Sequence, residues 1–246
     1  MTVPGAAPRP DRAGTNPYLR ATFRGAWAHL PVLLVGSVVV TAVTAVTVAA
    51  VVAWGVSPVL GGAVAVGGAA PALASLVACG CDVVTGVDVG VRDYRAAWRR
   101  LAAGAVRDAL VPAVVGALTA VALVARASGG GTWTWVPAGL GTTATVLASV
   151  AWLVLVPLRA ACPEPSGARA WLLALHLFAR RPVPFAAAGV VGALGIAVST
   201  TVSNGLFLLV PAPFALVLAA AFHTSPVREV LAARGTSTPD DTRPSS

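Results

Sequence analysis

Cys79 and Cys81 stand one residue apart, and Cys162, His29, His176 and His223 are the other side chains suited to soft-metal ligation. A structural zinc site needs two such ligand pairs at fixed spacing. Cys79-Gly80-Cys81 is too short and too isolated to supply one, and reads as small apolar residues at a helix end. Three cysteines cannot all pair within one chain. The three histidines lie far apart, with no carboxylate at helical spacing from any of them. Asp82, Asp88 and Asp93 could form a carboxylate cluster for acid–base work. Their position ahead of an arginine-rich helix reads instead as a solvated loop and a helix N-terminus, where the macrodipole favours negative charge. Walker A, H-E-x-x-H, G-x-S-x-G and C-x-x-C patterns are missing. The expectation is a non-enzymatic protein with no catalytic residue, no cofactor and no metal site.

Hydroxyl groups are the other candidates. Thr41, Thr44 and Thr47 form one stripe, and Thr142, Thr143 and Thr145 another. Such stripes could line a polar path or bond across helices. The plainer reading is that each hydroxyl bonds to the carbonyl one turn back. Gly61, Gly62, Gly67 and Gly68, with Ala65 and Ala69, give spacing that allows close helix contact. Pro71, Pro112, Pro137, Pro211 and Pro213 free backbone carbonyls, and Pro211-Ala212-Pro213 is expected to break the last apolar segment near its middle. Asn204 beside Gly205 suits a tight turn.

The elements that must position these groups follow from charge. The chain has 17 basic residues, all arginine, with 57% hydrophobic and 11% charged residues. Soluble domains carry about 25% charged residues. Six apolar segments contain no Asp, Glu, Arg or His: Leu30–Trp54, Val59–Cys79, Ala109–Ala125, Trp135–Leu158, Pro182–Thr200 and Leu206–Phe222. Each is long enough to cross a bilayer as a helix. The first is too long and too far from the N-terminus for a cleavable signal peptide and should remain a membrane helix. Residues 1–19 read as a disordered tail, 20–228 as the membrane domain, and 229–246 as a second tail, disordered from about 235.

Arginine gives the orientation. Arg9, Arg12, Arg20 and Arg24 precede the first span, and Arg92, Arg95, Arg99, Arg100 and Arg107 lie between the second and third. Arg159, Arg169, Arg180 and Arg181 lie between the fourth and fifth, and Arg228, Arg234 and Arg243 follow the sixth. Only Arg126 falls on the other side. The positive-inside rule then places both termini and both long connections in the cytoplasm. Trp54, Trp133 and Trp135 fall at the outer ends, where indoles favour the headgroup layer. The net charge of +8 is therefore an orientation signal, and nucleic acid is not an expected partner. The lack of Lys and Gln matches a GC-rich bacterial coding bias, which suggests a bacterial inner-membrane location.

The connections carry pattern of their own. In 91–107, Tyr94, Trp98, Leu101 and Ala105 recur at spacings of three and four, with arginines mostly opposite. In 167–181, the expected apolar stripe is Ala168, Trp171, Leu175 and Phe178, facing away from Arg169, His176 and Arg180. Residues 18–28 are a shorter version. These read as amphipathic helices at the inner surface. Arg92, Arg95, Arg99, Arg100, Arg169, Arg180 and Arg181 are their candidate contacts for anionic lipid headgroups. Gly36, Gly116 and Gly192, each after a Val, hint at a threefold repeat of hairpins.

One resemblance rests on these residues. A membrane hairpin closes on Pro71-Ala72-Leu73-Ala74-Ser75-Leu76, a short linker with an Asp88-Val89 step follows, and an aromatic and basic helix from Tyr94 to Arg100 leads into the third span. This order resembles the YesL-like family of small bacterial integral membrane proteins, over about residues 25–125. The chain has fewer aromatics than that family usually shows, and its linker carries Cys79 and Cys81. The resemblance implies an accessory of a transport or envelope system, with transporter subunits as possible partners. A small-solute transporter with a path between the hairpins is the alternative, and an intramembrane enzyme the third. Proton coupling is disfavoured because no carboxylate or His falls within a span. The expected fold is all-α and polytopic: six transmembrane helices in three hairpins, with basic amphipathic helices on the cytoplasmic side.

Overall fold

A computed structural model describes residues 26–54, 58–129, 131–162, 167–201 and 204–223. The two terminal tails, and residues 18–25 of the first amphipathic segment, lie outside the described residues. The order is α1 (Leu30–Trp54), α2 (Pro58–Val84), α3 (Val91–Ala127), a 3-10 turn (Thr132–Thr134), α4 (Trp135–Ala161), α5 (Ala168–Arg180), α6 (Pro182–Thr201), a second 3-10 turn (Asn204–Leu208) and α7 (Pro211–His223). No strand occurs among the described residues. Six segments are long and apolar enough to span a membrane. The protein is thus an all-α, polytopic, membrane-type chain built from hairpins.

α2 is the central helix and packs on α1, α3, α4 and α7, whereas α6 leans chiefly on α7. Of the glycine run, only Gly68 makes a close approach among the described residues. A Cβ on Gly62 or Gly67 would meet nothing, whereas Gly68 lies directly against Val43 of α1. Gly80 lies against Ala215 and Ala219 of α7, with the Ala215 carbonyl 3.3 Å from where its Cβ would sit. That face lets α2 and α7 pack with almost no side chain between them.

Two boundaries differ from the sequence reading. α2 does not stop at Cys79 but continues to Val84. Its end is a Schellman motif: Val87 N–H donates to the Asp82 carbonyl and Gly86 N–H to that of Val83, with Gly86 at φ +79°. Cys79 and Cys81 therefore lie inside a helix, two residues and about 200° apart, each buried in the core. The amphipathic stretch 91–107 and the third span are one helix of 37 residues. The helix runs through Gly104 and Pro112, with Ala102, Ala103, Ala105 and Ala109 as strong helix formers around the junction. At 1.5 Å per residue it is about 55 Å long, against about 30 Å of hydrocarbon.

The break in the last span also moves. Residues 204–208 form the 3-10 turn and α7 starts at Pro211, so the proline pair opens the helix rather than splitting its middle. Proline suits the first helical turn, where its missing N–H costs nothing. A hydroxyl reaches the irregular stretch from across the bundle: Thr41 donates to the Phe207 carbonyl at 3.0 Å. Thr44 and Thr47 instead bond one turn back, to the carbonyls of Val40 and Val43. Thr142, Thr143 and Thr145 do the same on α4, and Thr145 also meets Thr119 of α3 at 2.9 Å. The stripes are thus mostly self-satisfied, with one crossing bond from each.

The core lies at the arginine-rich end. Val32 and Leu33 of α1, Leu76, Val77 and Val83 of α2, Val154, Leu155 and Leu158 of α4, and Leu218 and Phe222 of α7 form one buried cluster. Tyr94 joins it, and its hydroxyl donates to the Ala72 carbonyl at 3.3 Å. Trp98, Leu101 and Ala105 pack against the same cluster. The apolar stripe of 91–107 therefore faces protein, as its spacing suggests.

Candidate functional site

The charged groups nearest the core sit where α3 and α4 leave the arginine-rich end. Asp108 and Arg159 each fall one residue outside an apolar span, on antiparallel neighbours, so they meet at the same level. Arg159 Nε donates to Asp108 Oδ2 at 2.9 Å and Nη2 to Oδ1 at 3.3 Å. This is the two-pronged geometry of a guanidinium on a carboxylate. Their side chains are only 7% and 15% exposed. Arg107 adds a looser contact to Asp108 Oδ1 at 3.7 Å, with its side chain 63% exposed. Neither Asp108 nor its pairing stands out in the sequence, where each charge looks like punctuation at a span end. The usable signal was opposite charges at one depth on adjacent antiparallel helices.

This pair forms part of the wall of a cavity of about 160 Å³. Arg100, Arg107 and Asp108 of α3 and Trp152 and Arg159 of α4 supply its polar groups, with Leu101 and Leu155 among its apolar ones. The Trp152 indole nitrogen is buried with no acceptor. A Trp N–H is a donor only, so it cannot be satisfied by the arginines beside it. Among the described residues no carboxylate lies within ion-pair distance of Arg100, although Asp82 is near enough to interact with it electrostatically.

The other candidates are dispersed. Arg92, Arg95, Arg99 and Arg100 are all exposed on the first turns of α3, and Arg169, Arg180 and Arg181 on or beside α5. Around the α3 turns the exposed face carries Ala96 and Ala103 between the arginines, with Val91 its one large exposed apolar group among the described residues. α5 is different. Its buried side is Ala170, Ala174 and Leu177, with Trp171 and Phe178 at the edge. Ala168 and Leu175, members of the expected apolar stripe, are exposed, and so is Leu172 at 66%. The helix is apolar on both sides of its basic strip, so hydrophobicity alone could not tell the protein face from the outward face. The small Ala170 and Ala174 take the inner side, where backbones approach closely.

His29 Nδ1 meets the Val89 carbonyl at 3.2 Å and Asp88 at 3.6 Å, which ties the start of α1 to the linker. His29, His176 and His223 are not brought together with the cysteines, and no cluster of three or more metal-ligating residues occurs among the described residues. At the opposite end, the guanidinium of Arg126 lies over the Trp135 ring. Trp133 and Trp135 are exposed there, as interfacial indoles should be. No family model, curated protein or solved structure matches this chain.

Proposed function

We propose that this chain is a non-enzymatic protein of the bacterial inner membrane, with both termini cytoplasmic, that serves as an accessory of a transport or envelope system. The YesL-like resemblance belongs to this proposal. The observation that carries it is the filled base. A solute path along the bundle would have to pass Leu76, Val77, Leu155, Leu158 and Leu218, which are fully or almost fully buried at the arginine-rich end. That packing disfavours a conduit within one copy and suits a rigid platform. The first turns of α3 pack Tyr94 and Trp98 onto that core and leave a charged outer face open to a partner.

Affinity purification from native membranes in mild detergent tests the role. Stoichiometric recovery of a permease or ATPase subunit is the expected result. Solute uptake by the purified protein alone in liposomes would replace this reading with the transporter. Orientation has its own test. Reporters fused after Arg24, within 84–104, within 160–180 and after Arg228 should report cytoplasm, and those at 127–132 and 201–205 the exterior. A cytoplasmic signal at 127–132 would overturn the topology.

A further inference from the structure

Apolar exposure alone needs no partner in a bilayer, because lipid tails are as apolar as leucine. α3 shows something more. Leu110, Val114, Ala117, Val121 and Val124 recur at spacings of three and four, and all but the half-buried Ala117 are exposed. The same spacing runs on toward the helix start through Arg107, Ala103, Arg99, Ala96 and Arg92, all exposed. At 3.6 residues per turn these positions stay on one side of the helix, over about 48 Å. One exposed face is thus apolar through the span and basic past it. α6 exposes Val190, Leu194 and Ile196 as well, but it starts at Pro182, so its face ends with the span.

Both parts of the α3 face are open to a second helix. The apolar part is the wall of a groove of about 660 Å³, shared with Gly62 of α2. Ala113, Gly116, Ala117 and Ala120 line it with small side chains, and such residues let helix backbones approach closely in membranes. In the basic part, Arg92, Arg95 and Arg99 make no ion pair among the described residues. Asp93, the one carboxylate among those turns, is taken up in accepting the Gly90 N–H at 2.8 Å.

A single lipid chain is too short for this face. The groove runs along α3 from residue 110 to 125, about 22 Å, and one leaflet holds about 15 Å of hydrocarbon. A second copy has the wrong charge: copies inserted the same way and paired on this face would set Arg92 and Arg99 against their own equivalents. We propose that the face receives a transmembrane helix of another protein, apolar along the groove and carrying Asp or Glu at spacings of three and four beside Arg92 and Arg99. Charge pairs between packed helices set partner choice and orientation. The helix belongs to the transport or envelope partner proposed above, and the assignment rests on that reading. Lipid covers the groove when no partner is bound.

Photo-crosslinking in native membranes tests the face directly. In the full-length chain, p-benzoylphenylalanine replaces Ala96, Val114 or Val121 of α3, and Leu172 of α5 or Val190 of α6 for comparison. Adducts are sized and their peptides sequenced by mass spectrometry. The expected result is one protein captured from all three α3 positions, with Val114 and Val121 joined to an apolar helix and Ala96 to its acidic continuation. Arg92→Gln with Arg99→Gln should lower the Ala96 yield about fivefold at about 0.1 M salt, with insertion checked by the reporter within 84–104. Arg169→Gln with Arg180→Gln should leave that yield unchanged. An adduct of two copies of this chain, a captured segment without carboxylates, or a yield unmoved by the Arg92 and Arg99 changes overturns the proposal. Protein captured only at Leu172 or Val190 overturns it and leaves the accessory reading standing. Capture of no protein at any position removes both.

Discussion

At the arginine-rich end, neighbouring helices meet through interlocked side chains: Leu76 and Val77 of α2, Leu155 and Leu158 of α4, and Leu218 of α7 are buried together. At the other end α1, α3 and α4 expose Val46, Val48, Leu118, Val121, Leu140 and Leu147. What is buried there includes Thr47, Thr119 and Ser199, and a broad apolar groove of about 660 Å³ runs along α3 opposite Gly62. One half coheres by packing, with a charge pair at its rim. The other is held by a few hydroxyl bonds and leaves its apolar surface to lipid. In a bilayer such exposure carries no hydrophobic penalty, because lipid tails are as apolar as leucine. Folding energy can therefore concentrate at one end.

The largest expected effect tests the rim of the packed half. Asp108→Ala leaves the Arg159 guanidinium buried without its carboxylate, which typically costs 3–5 kcal/mol. We expect a severe loss of folded protein in SDS titration. Because the cost is the stranded charge, Asp108→Leu combined with Arg159→Met should recover most of the stability. If the double variant is as unstable as the single one, the pair does more than neutralise itself.

Next is the contrast in packing itself. Leu76→Ala should cost about 2–5 kcal/mol, because the closely packed surroundings cannot fully collapse onto the void. Leu118→Ala, at a side chain 66% exposed, should change stability by about 0.5 kcal/mol or less, within the range of surface substitutions. Equal losses at the two positions would erase the distinction between the halves.

These two halves were unequally legible in the sequence. The six spans stand out because charge-free runs of that length have few other uses. Their inner ends did not, since α2 and α3 carry Asp82 and Asp108 within regular helix. Only the Thr85-Gly86 step marks the real end of α2, whereas Gly104 and Pro112, on either side of residue 107, are breaker signals that the helix runs through. The packed half was invisible as such: Ala, Val and Leu read the same whether they face lipid or protein. The aromatic stripe at Tyr94 and Trp98 was readable because arginines fill its opposite face. On α5 the two apolar sides could not be told apart.

A smaller effect sharpens the account of the open half. Thr41→Ala removes the bond to the Phe207 carbonyl, and Thr119→Ala the bond to Thr145. Interhelical hydroxyl bonds in membranes average about 0.6 kcal/mol and reach about 1.7. Thr44→Ala removes only a bond within its own helix and should be close to neutral. Thr41→Ala should also raise hydrogen exchange in the irregular stretch before Pro211, since its acceptor lies there. Identical behaviour of Thr41→Ala and Thr44→Ala would show that the crossing bonds do not hold the open half.

The smallest effect separates two basic surfaces that the sequence treats alike. α5 exposes Leu172 and Leu175 beside Arg169 and Arg180. That arrangement belongs to a helix lying in the interface, apolar side toward the acyl chains. Arg92, Arg95 and Arg99 stand on turns of α3 that lead away from Asp108. The large apolar side chains of those turns, Tyr94 and Trp98, are taken up against the protein, so the turns have little with which to anchor in acyl chains. Attraction to an anionic surface is about 1 kcal/mol per arginine near that surface and fades within a Debye length of about 10 Å. Arg169→Gln with Arg180→Gln should therefore lower retention of phosphatidylglycerol several-fold at about 0.1 M salt. Arg92→Gln with Arg95→Gln should change it little and should weaken binding of a cytoplasmic partner instead. Equal lipid loss from the two pairs would mean that the first turns of α3 lie as close to the membrane surface as α5.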